Sequence, residues 1–344
     1  MRTGTTARVV ALGAATLMTI TACGDGGGRE ESGLSPADAD ITVVTGVYPL
    51  EWLAREIGGD RVAVVQLTEP GTEPHDLELT GRQVAQVSEA DIAFHVSGLQ
   101  PAVDEAIAQQ APDGALDVAE LVDLRPAGGE ASPSEDDHDH SGDDHDHGEE
   151  GHEHGDTAEE DHAEEHGHDH GEHDPHFWLD VDLMAQVAGE LGDRMARIHP
   201  DGSDDYARGV ETVTTELEAL GQEYEEGLSS CERDEVVVGH TAFTYLTEPY
   251  GLEQVGVSGV DPEMEPSPSQ IASITDIVRE RDITTVFTEP LMPAATAETI
   301  ASETGARVEV LDPLEGVTED SPGDDYPSIM RGNLEALTTA LDCS

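Results

Sequence analysis

The sequence contains no lysine, so all 15 of its basic residues are arginine, and they are outnumbered by 76 aspartates and glutamates. The formal net charge is -61. A surface with this charge repels the phosphates of DNA and RNA. The sequence therefore excludes nucleic-acid binding as a working hypothesis, and we expect no nucleic-acid partner.

The N-terminal apolar run, Val9–Ile20, is about a dozen residues long and follows two arginines. A membrane-spanning helix needs about 20 apolar residues, so we predict a cleaved signal peptide over residues 1–22. The small residue before Cys23 resembles a bacterial lipobox, which predicts lipidation of Cys23 and a flexible tether over residues 23–40. The alternative is an ordinary secretory signal with a chance cysteine. We expect an extracytoplasmic protein that is lipid-anchored to the outer face of the cytoplasmic membrane.

Two further cysteines, Cys231 and Cys343, lie in the second half of the chain. In an oxidising compartment outside the cytoplasm, paired cysteines usually form disulfides. We therefore predict a bridge that fastens the C-terminal helix to its domain. Two free thiols or a cysteine-based metal site are the alternatives.

Two stretches of the chain repeat one pattern of strands and helices. The first begins with a strand at Ile41–Gly46 and ends with one at Ile92–Val96. The second begins with a strand at Glu235–Gly239, continues with a predicted helix near Thr241–Tyr250 and ends with a strand at Ile283–Phe287. Alternating strands and helices with matched periods predict an α/β fold of two lobes, each a parallel sheet with helices on both faces. Ligands of such sheets lie at the carboxyl ends of the strands. A ligand site is therefore expected in a cleft between the two lobes.

A helical pattern over Asp204–Leu228 separates the two repeats and predicts one stiff helix of about 37 Å. The predicted segments after the tether are an N-terminal lobe (41–200) that contains a disordered loop (130–174), a linking helix (201–230) and a C-terminal lobe (231–344).

Eleven of the 16 histidines lie in the predicted loop 130–174, which has almost no apolar residues. Alternating imidazoles and carboxylates bind zinc in many arrangements, and a segment of this composition cannot fold by itself. We predict an auxiliary zinc-binding loop, with a plain acidic loop as the alternative. Its histidines are His138, His140, His145, His147, His152, His154, His162, His166, His168, His170 and His173.

Three other histidines occupy predicted loops near strand ends. His75 follows Glu-Pro, His176 follows Asp-Pro after the His-rich loop, and His240 follows a Val-rich strand. Asp312 comes directly after a later strand. Three imidazoles with a carboxylate or water suit a tetrahedral zinc site, so these four residues are the candidate ligands.

Four segments resemble the signature segments of the metal-binding receptors of bacterial zinc and manganese ABC importers. They are Glu73–Glu78, Asp174–Asp180, Gly239–Tyr245 and Leu311–Leu314. The zinc branch, the ZnuA type, is the closer match because it also carries a His/Asp-rich loop before the second segment. The resemblance implies two α/β lobes joined by a long rigid helix, with the metal buried between them.

The resemblance also implies that His75, His176 and His240 are the zinc ligands. The manganese branch usually has a carboxylate at the position of His240, and imidazole favours zinc over manganese, so Zn2+ is expected and Mn2+ is less favoured. Asp312 matches the fourth ligand of the manganese branch, a place that water or a loop histidine can take in the zinc branch. We interpret Glu289 as a supporting residue.

The function implied by the resemblance is that of a monomeric solute-binding protein, not an enzyme. It would capture Zn2+ and deliver it to the permease and ATPase subunits of an ABC importer. An extracellular zinc buffer or adhesin without a transport role is the first alternative. A secreted zinc hydrolase is the second, although the sequence has no HExxH motif.

Overall fold

The computed structural model describes Met1, residues 35–127 and 173–260, Pro262 and residues 266–344. Cys23, residues 2–22 of the predicted signal peptide and the ten tract histidines from His138 to His170 lie outside the described residues. No helix of the described part is long and apolar enough to cross a membrane.

Eight strands in the described part form two four-stranded sheets. The first sheet contains β1 (Ile41–Thr45), β2 (Val62–Gln66), β3 (Ile92–His95) and β4 (Ala115–Asp117). The second sheet contains β5 (Glu235–Val238), β6 (Glu253–Gly256), β7 (Thr285–Thr288) and β8 (Arg307–Val310).

Every strand pair in the two sheets is parallel. The strand orders are β2-β1-β3-β4 and β6-β5-β7-β8, so the second sheet repeats the topology of the first. The predicted fold of two βα-repeat lobes is therefore confirmed. All strands of a parallel sheet end at the same edge, and ligands of such sheets bind at that edge.

Helices surround both sheets. Those of the first lobe are α1 (Tyr48–Gly58), α2 (Gly81–Glu89), α3 (Pro101–Gln110) and α4 (Val181–Ile198). The long helix α5 (Ser203–Gly227) follows, and the second lobe adds α6 (Thr244–Thr247), α7 (Pro268–Glu280), α8 (Ala295–Thr304) and α9 (Tyr326–Ala340).

Helix α6 is much shorter than the helix that the sequence predicts near Thr241–Tyr250. The backbone N–H of Thr241 donates to the carbonyl oxygen of Gly259 at 2.9 Å. That of Phe243 donates to Oε1 of Gln254 at 2.7 Å. These two bonds hold residues 241–243 in the turn after β5, and helical geometry begins only at Thr244.

Helix α5 packs against α1 and α4 of the first lobe and against α9 of the second. Its 25 residues give a length of about 37 Å. A Cβ atom at Gly209 would lie 2.5 Å from the carbonyl oxygen of Ile57 in α1. Glycine at this position therefore allows the close approach of the two helices.

Trp178, which precedes α4, joins the two lobes. Its indole Nε1–H donates to the carbonyl oxygen of Pro313 at 2.7 Å. Its own carbonyl oxygen accepts a hydrogen bond from the Tyr326 hydroxyl at 2.5 Å. The ring of Tyr326 also stacks on Trp52, with centroids 4.7 Å apart. These buried aromatic contacts and α5 favour small adjustments between the lobes.

The sulfur atoms of Cys231 and Cys343 lie at bonding distance, which is the pairing that the sequence predicts. Cys231 lies between α5 and β5, and Cys343 follows α9. The pair therefore connects the C-terminal end of α9 to the start of the second lobe.

Candidate metal centre

His75 lies in the loop between β2 and α2. Its backbone N–H donates to Oε1 of Glu73 at 2.9 Å. The buried amide of Gln100 donates to the carbonyl oxygen of Pro74 at 2.9 Å, which fixes the residue before His75. A capping box between Thr80 and Gln83 then begins α2. The side chain of His75 is 11% exposed, so it borders solvent.

His176 precedes a short 3-10 helix, Phe177–Leu179, that leads to α4. Its ring Nδ1 lies 2.8 Å from Oδ1 of Asp174, which also accepts the backbone N–H of His176 at 3.0 Å. Asp180, at the end of the same motif, caps α4 by accepting the N–H groups of two residues in its first turn. His176 is therefore buried and oriented by a segment held at both ends.

His240 follows β5 at the carboxyl edge of the second sheet. Its Nδ1 lies 2.6 Å from Oε2 of Glu289. Its backbone N–H donates to Oε1 of the same carboxylate at 3.1 Å. Glu289 directly follows β7, so neighbouring strand ends of the second sheet position the ligand candidate and its partner.

A fourth side chain, that of Glu315, lies against these three histidines, and it is not among the ligands predicted from the sequence. It lies in the loop after β8, and its side chain is 1% exposed. The residue before it, Leu314, has a φ of 60°. This left-handed conformation costs a residue with a Cβ about 1–2 kcal/mol and occurs mostly at turns and functional sites.

One ligand atom each from His75, His176, His240 and Glu315 can be chosen so that all four lie within 4.8 Å of one another. Oε1 of Glu315 is 3.2 Å, 3.0 Å and 3.4 Å from the Nε2 atoms of the three histidines in that order. Zinc bonds of about 2.0–2.1 Å in a tetrahedron separate neighbouring ligands by about 3.3–3.4 Å. The spacing around Glu315 is therefore close to that of a zinc site.

Buried carboxylates determine which ring nitrogen of His176 and of His240 is available. With Nδ1 facing Asp174 or Glu289, the Nε2 atoms of His176 and His240 face Glu315. Metal-binding histidines are oriented in this way by carboxylates behind them. Nε2 of His240 is buried and has no hydrogen-bond partner among the described residues, which is expected of a ligand atom.

The electrostatics of the cluster favour a bound cation. Burial alone would lower the pKa of His176, but hydrogen bonds to Asp174 and Glu315 outweigh it and raise that pKa to about 9. Burial would also lower the pKa of His240, but Glu289 and Glu315 outweigh burial and raise that pKa. Burial would raise the pKa of Glu315, but the three imidazoles around it, led by that of His176, outweigh burial and hold the pKa well below its usual range. Without metal, protons on the imidazoles therefore balance the negative charge of the carboxylates, and a bound metal ion would displace those protons.

Asp312, the fourth ligand expected from the sequence, is not part of this cluster. Its Oδ1 accepts the backbone N–H of Leu314 at 2.8 Å. Its backbone N–H and carbonyl oxygen are bonded to the side-chain amide of Asn333 in α9 at 2.9 Å and 2.7 Å. Asp312 therefore holds the loop in which Glu315 is presented to the histidines.

The other histidines in the described part lie outside the cluster. His95 contacts Asp104 at 3.0 Å, and His199 contacts the Tyr206 hydroxyl at 3.1 Å, so each is paired away from the cluster. His173 is exposed and forms a β-bridge with Pro126. Asp174, which the sequence analysis placed at the end of the disordered loop, is instead buried beside His176.

A protein-family comparison identifies the chain over most of its length. The family described as the periplasmic component A of the zinc-uptake complex, ZnuA, matches residues 43–340. The chain belongs to this family. The description of the family names a component of zinc uptake, and curated relatives of the chain are named as zinc-binding proteins.

Two relatives show how this ZnuA-family chain compares with longer and similar-sized proteins. The zinc-binding lipoprotein AdcA of Streptococcus pneumoniae is 31% identical over 311 residues, which cover 89% of this chain and 57% of AdcA. The chain thus spans little more than half of that relative. The high-affinity zinc uptake system protein ZnuA of Bacillus subtilis is 30% identical over 335 residues, or 95% of both chains.

A solved structure supports the same fold. The laminin-binding protein of Streptococcus agalactiae, described as bifunctional with adhesin and metal-transporting activity, has a TM-score of 0.69 and 26% identity. The alignment covers 88% of this chain and 99% of that protein. The two-lobed fold with its long helix is therefore shared across the described lobes.

Proposed function

We propose that the protein captures one Zn2+ between its lobes, on His75, His176, His240 and Glu315, and delivers it to the permease of an ABC importer. The observation that carries this proposal is the convergence of three imidazole nitrogens on one carboxylate oxygen at 3.0–3.4 Å. Zinc prefers four-coordinate sites of this composition, whereas manganese prefers more oxygen ligands in an octahedron.

The choice of Glu315 as the fourth ligand separates this proposal from a zinc hydrolase. A catalytic zinc site keeps one coordination position open for water. Three histidines and Glu315 fill the tetrahedron, so no position is left for a water molecule that the ion could activate. Enclosure suits capture and release of a cargo ion.

The remaining parts of the chain complete the proposal. Residues 1–22 act as a signal peptide, and lipidated Cys23 with the tether 23–40 holds the protein at the outer face of the cytoplasmic membrane. The mature protein acts as a monomer made of lobes 41–200 and 231–344 and a linking helix, 201–230. Its Cys231–Cys343 pair is oxidised, and the His-rich loop collects zinc weakly near the site.

An extracellular zinc buffer or adhesin is the second candidate function, because a structural relative is described as having adhesin activity. Transport distinguishes the two. In the host grown under zinc limitation, loss of the gene abolishes high-affinity uptake of labelled zinc if the protein feeds an importer. Complementation with His176→Ala then fails to restore uptake. Normal uptake without the gene would favour the buffer or adhesin.

Metal binding itself is tested by zinc and manganese titration followed by elemental analysis after dialysis. The protein should lack residues 130–170 but keep His173 and Asp174, since Asp174 orients His176. We expect one tightly held zinc and no retained manganese. A tract-deleted protein that retains no zinc would assign the binding to the tract and contradict the proposed site.

A further inference from the structure

The Tyr245 hydroxyl reaches from the second lobe to the residue that orients His176. Tyr245 lies in α6 and is 1% exposed. Its hydroxyl oxygen accepts the backbone N–H of Arg125 at 2.7 Å, and its O–H donates to the carbonyl oxygen of Asp174 at 3.0 Å. One side chain of the second lobe therefore binds two backbone segments of the first lobe.

The two first-lobe segments also bind each other, which closes a ring of hydrogen bonds. The backbone N–H of Asp174 donates to the carbonyl oxygen of Arg125 at 2.8 Å. One residue away from each, Pro126 and His173 form an antiparallel bridge. Each member of the ring bonds to the next. Removing the hydroxyl therefore leaves the part-buried N–H of Arg125 and the buried C=O of Asp174 without this partner.

The Arg125 side chain also contacts α6 and the residue that follows it. Its guanidinium lies over the Tyr245 ring, 5.1 Å from the centroid, and pairs with Glu248, just after α6. The phenol thus has a hydrogen-bonded end and a covered face. A phenylalanine at position 245 would keep the ring and its cation contact and would lose only the hydroxyl bonds.

Asp174 transmits this placement to the metal cluster. Its backbone is held by Tyr245 and Arg125, while its carboxylate holds both the backbone N–H and the ring Nδ1 of His176. A shift of the Asp174 backbone therefore moves the acceptor that fixes the direction of the His176 ring. The Nε2 atom of that ring faces Glu315 at 3.0 Å.

We propose that Tyr245 is a positioning residue for zinc, acting from the second lobe through Asp174 on His176. The inference depends on the proposed zinc site and adds a residue outside its ligands and their carboxylate partners. It also ties the ligand geometry to the contact between the lobes. Separation of α6 from the Arg125–Asp174 segment would loosen the His176 ligand, which couples zinc release to lobe movement.

The test compares the zinc dissociation constant and dissociation rate of the full mature chain with those of Tyr245→Phe. We expect about tenfold weaker binding and a correspondingly faster release, at the lower end of the range for loss of an outer partner of a metal ligand. The matched control is Tyr224→Phe. That tyrosine is also buried, and its hydroxyl donates to the carbonyl oxygen of Met330 at 2.7 Å. The control should lose stability but keep the zinc affinity of the parent protein.

A double-mutant cycle with Asp174→Asn separates positioning from general destabilisation. In the Asp174→Asn background, Tyr245→Phe should change zinc affinity by less than about twofold, because the route to His176 is already impaired. A full effect of Tyr245→Phe in that background, or an effect no larger than that of Tyr224→Phe, would overturn the inference. If the parent chain or its His176→Ala variant showed no His176-dependent tight zinc, the proposed function would fail first.

Hydrogen exchange of the parent protein tests the same coupling without a substitution. If the hydrogen-bonded ring favours zinc, zinc must stabilise the ring by the same factor. The Arg125 and Asp174 amides should therefore exchange more slowly in zinc-loaded than in zinc-free protein. The Glu232 amide, bonded to the carbonyl oxygen of Leu341 near the disulfide pair, serves as the reference. Equal changes at all three amides would contradict the inference.

Discussion

The two lobes have the same sheet topology but contribute different proposed ligands from the loops after their fourth strands. After its fourth strand, the first lobe carries the His-rich loop and then His176. After its own fourth strand, the second lobe carries a tight loop with a left-handed residue and then Glu315. The comparison shows that the duplicated scaffold sets where ligands can lie, while the loops determine which residue is presented.

The lobes also differ in how deeply their ligands lie. His176 of the first lobe and both proposed ligands of the second are buried, whereas the His75 side chain is 11% exposed. His75 is therefore the ligand nearest to solvent, and we expect the ion to pass it on the way in and out.

The largest expected effects are losses of zinc affinity, and they test the difference in burial between the ligands. His176→Ala or His240→Ala should reduce zinc affinity by more than the roughly 10- to 100-fold that loss of an outer partner costs, because each removes a zinc ligand and leaves a buried carboxylate without its imidazole partner. His75→Ala should cost less, since water can reach the vacated position. Competition with a zinc chelator measures all three. His199→Ala, outside the cluster, is the control, and an equal loss for His75→Ala would contradict the ranking.

A smaller effect tests the fourth ligand supplied by the second lobe. Glu315→Gln should weaken zinc binding by about 100-fold, because it removes the negative charge shared by the three imidazoles. Asp312→Asn should weaken it much less, since Asp312 stabilises the loop instead of facing the histidines. Calorimetric titration of the two variants compares them directly. The opposite order would restore Asp312 as the ligand.

The pH dependence sharpens the electrostatic part of the account. In the zinc-free protein the pKa of His176 is raised to about 9, so zinc must displace a proton at neutral pH. Affinity should fall as the pH is lowered from about 9, by about tenfold per unit for each proton displaced. Titrations in buffers of different ionisation enthalpy count those protons. An affinity that is constant between pH 8 and pH 7 would contradict the raised pKa.

The smallest effect concerns the helix that links the lobes. Gly209→Ala should destabilise the protein by about 1–3 kcal/mol, because its Cβ would clash with the Ile57 carbonyl oxygen. Gly189→Ala in α4 is the matched control. Its Cβ would meet nothing within 4 Å, so it should stabilise the protein by about 0.5–1 kcal/mol. Urea unfolding of the zinc-free variants measures both changes, and similar shifts for the two would contradict the close approach.

Much of the scaffold could be predicted because it depends on local sequence. The repeated strand and helix pattern predicts both parallel sheets, and α5 lies within one residue of the predicted helix at each end. The positions of His75, His176 and His240 near strand ends predict that they come together. These inferences need only the spacing of apolar residues along the chain and the rule that the strands of a parallel sheet end at the same edge of the sheet.

The fourth ligand could not be predicted in the same way. Asp312 and Glu315 are acidic residues three apart in one loop, and spacing alone does not distinguish them. The left-handed Leu314 and the Asn333 contacts to Asp312 determine which carboxylate faces the histidines. Both are tertiary features that composition does not encode. A second acidic residue directly after Asp-Pro-Leu was the one available signal.

The central claim is that one zinc ion is held by residues from both lobes, with Glu315 completing the site. X-ray absorption and a crystal structure of the zinc-loaded protein lacking residues 130–170 test it most directly. The account predicts one zinc in tetrahedral coordination by the Nε2 atoms of His75, His176 and His240 and an oxygen of Glu315, at about 2.0–2.1 Å. Zinc held without Glu315, or by the ligands of one lobe alone, would contradict it.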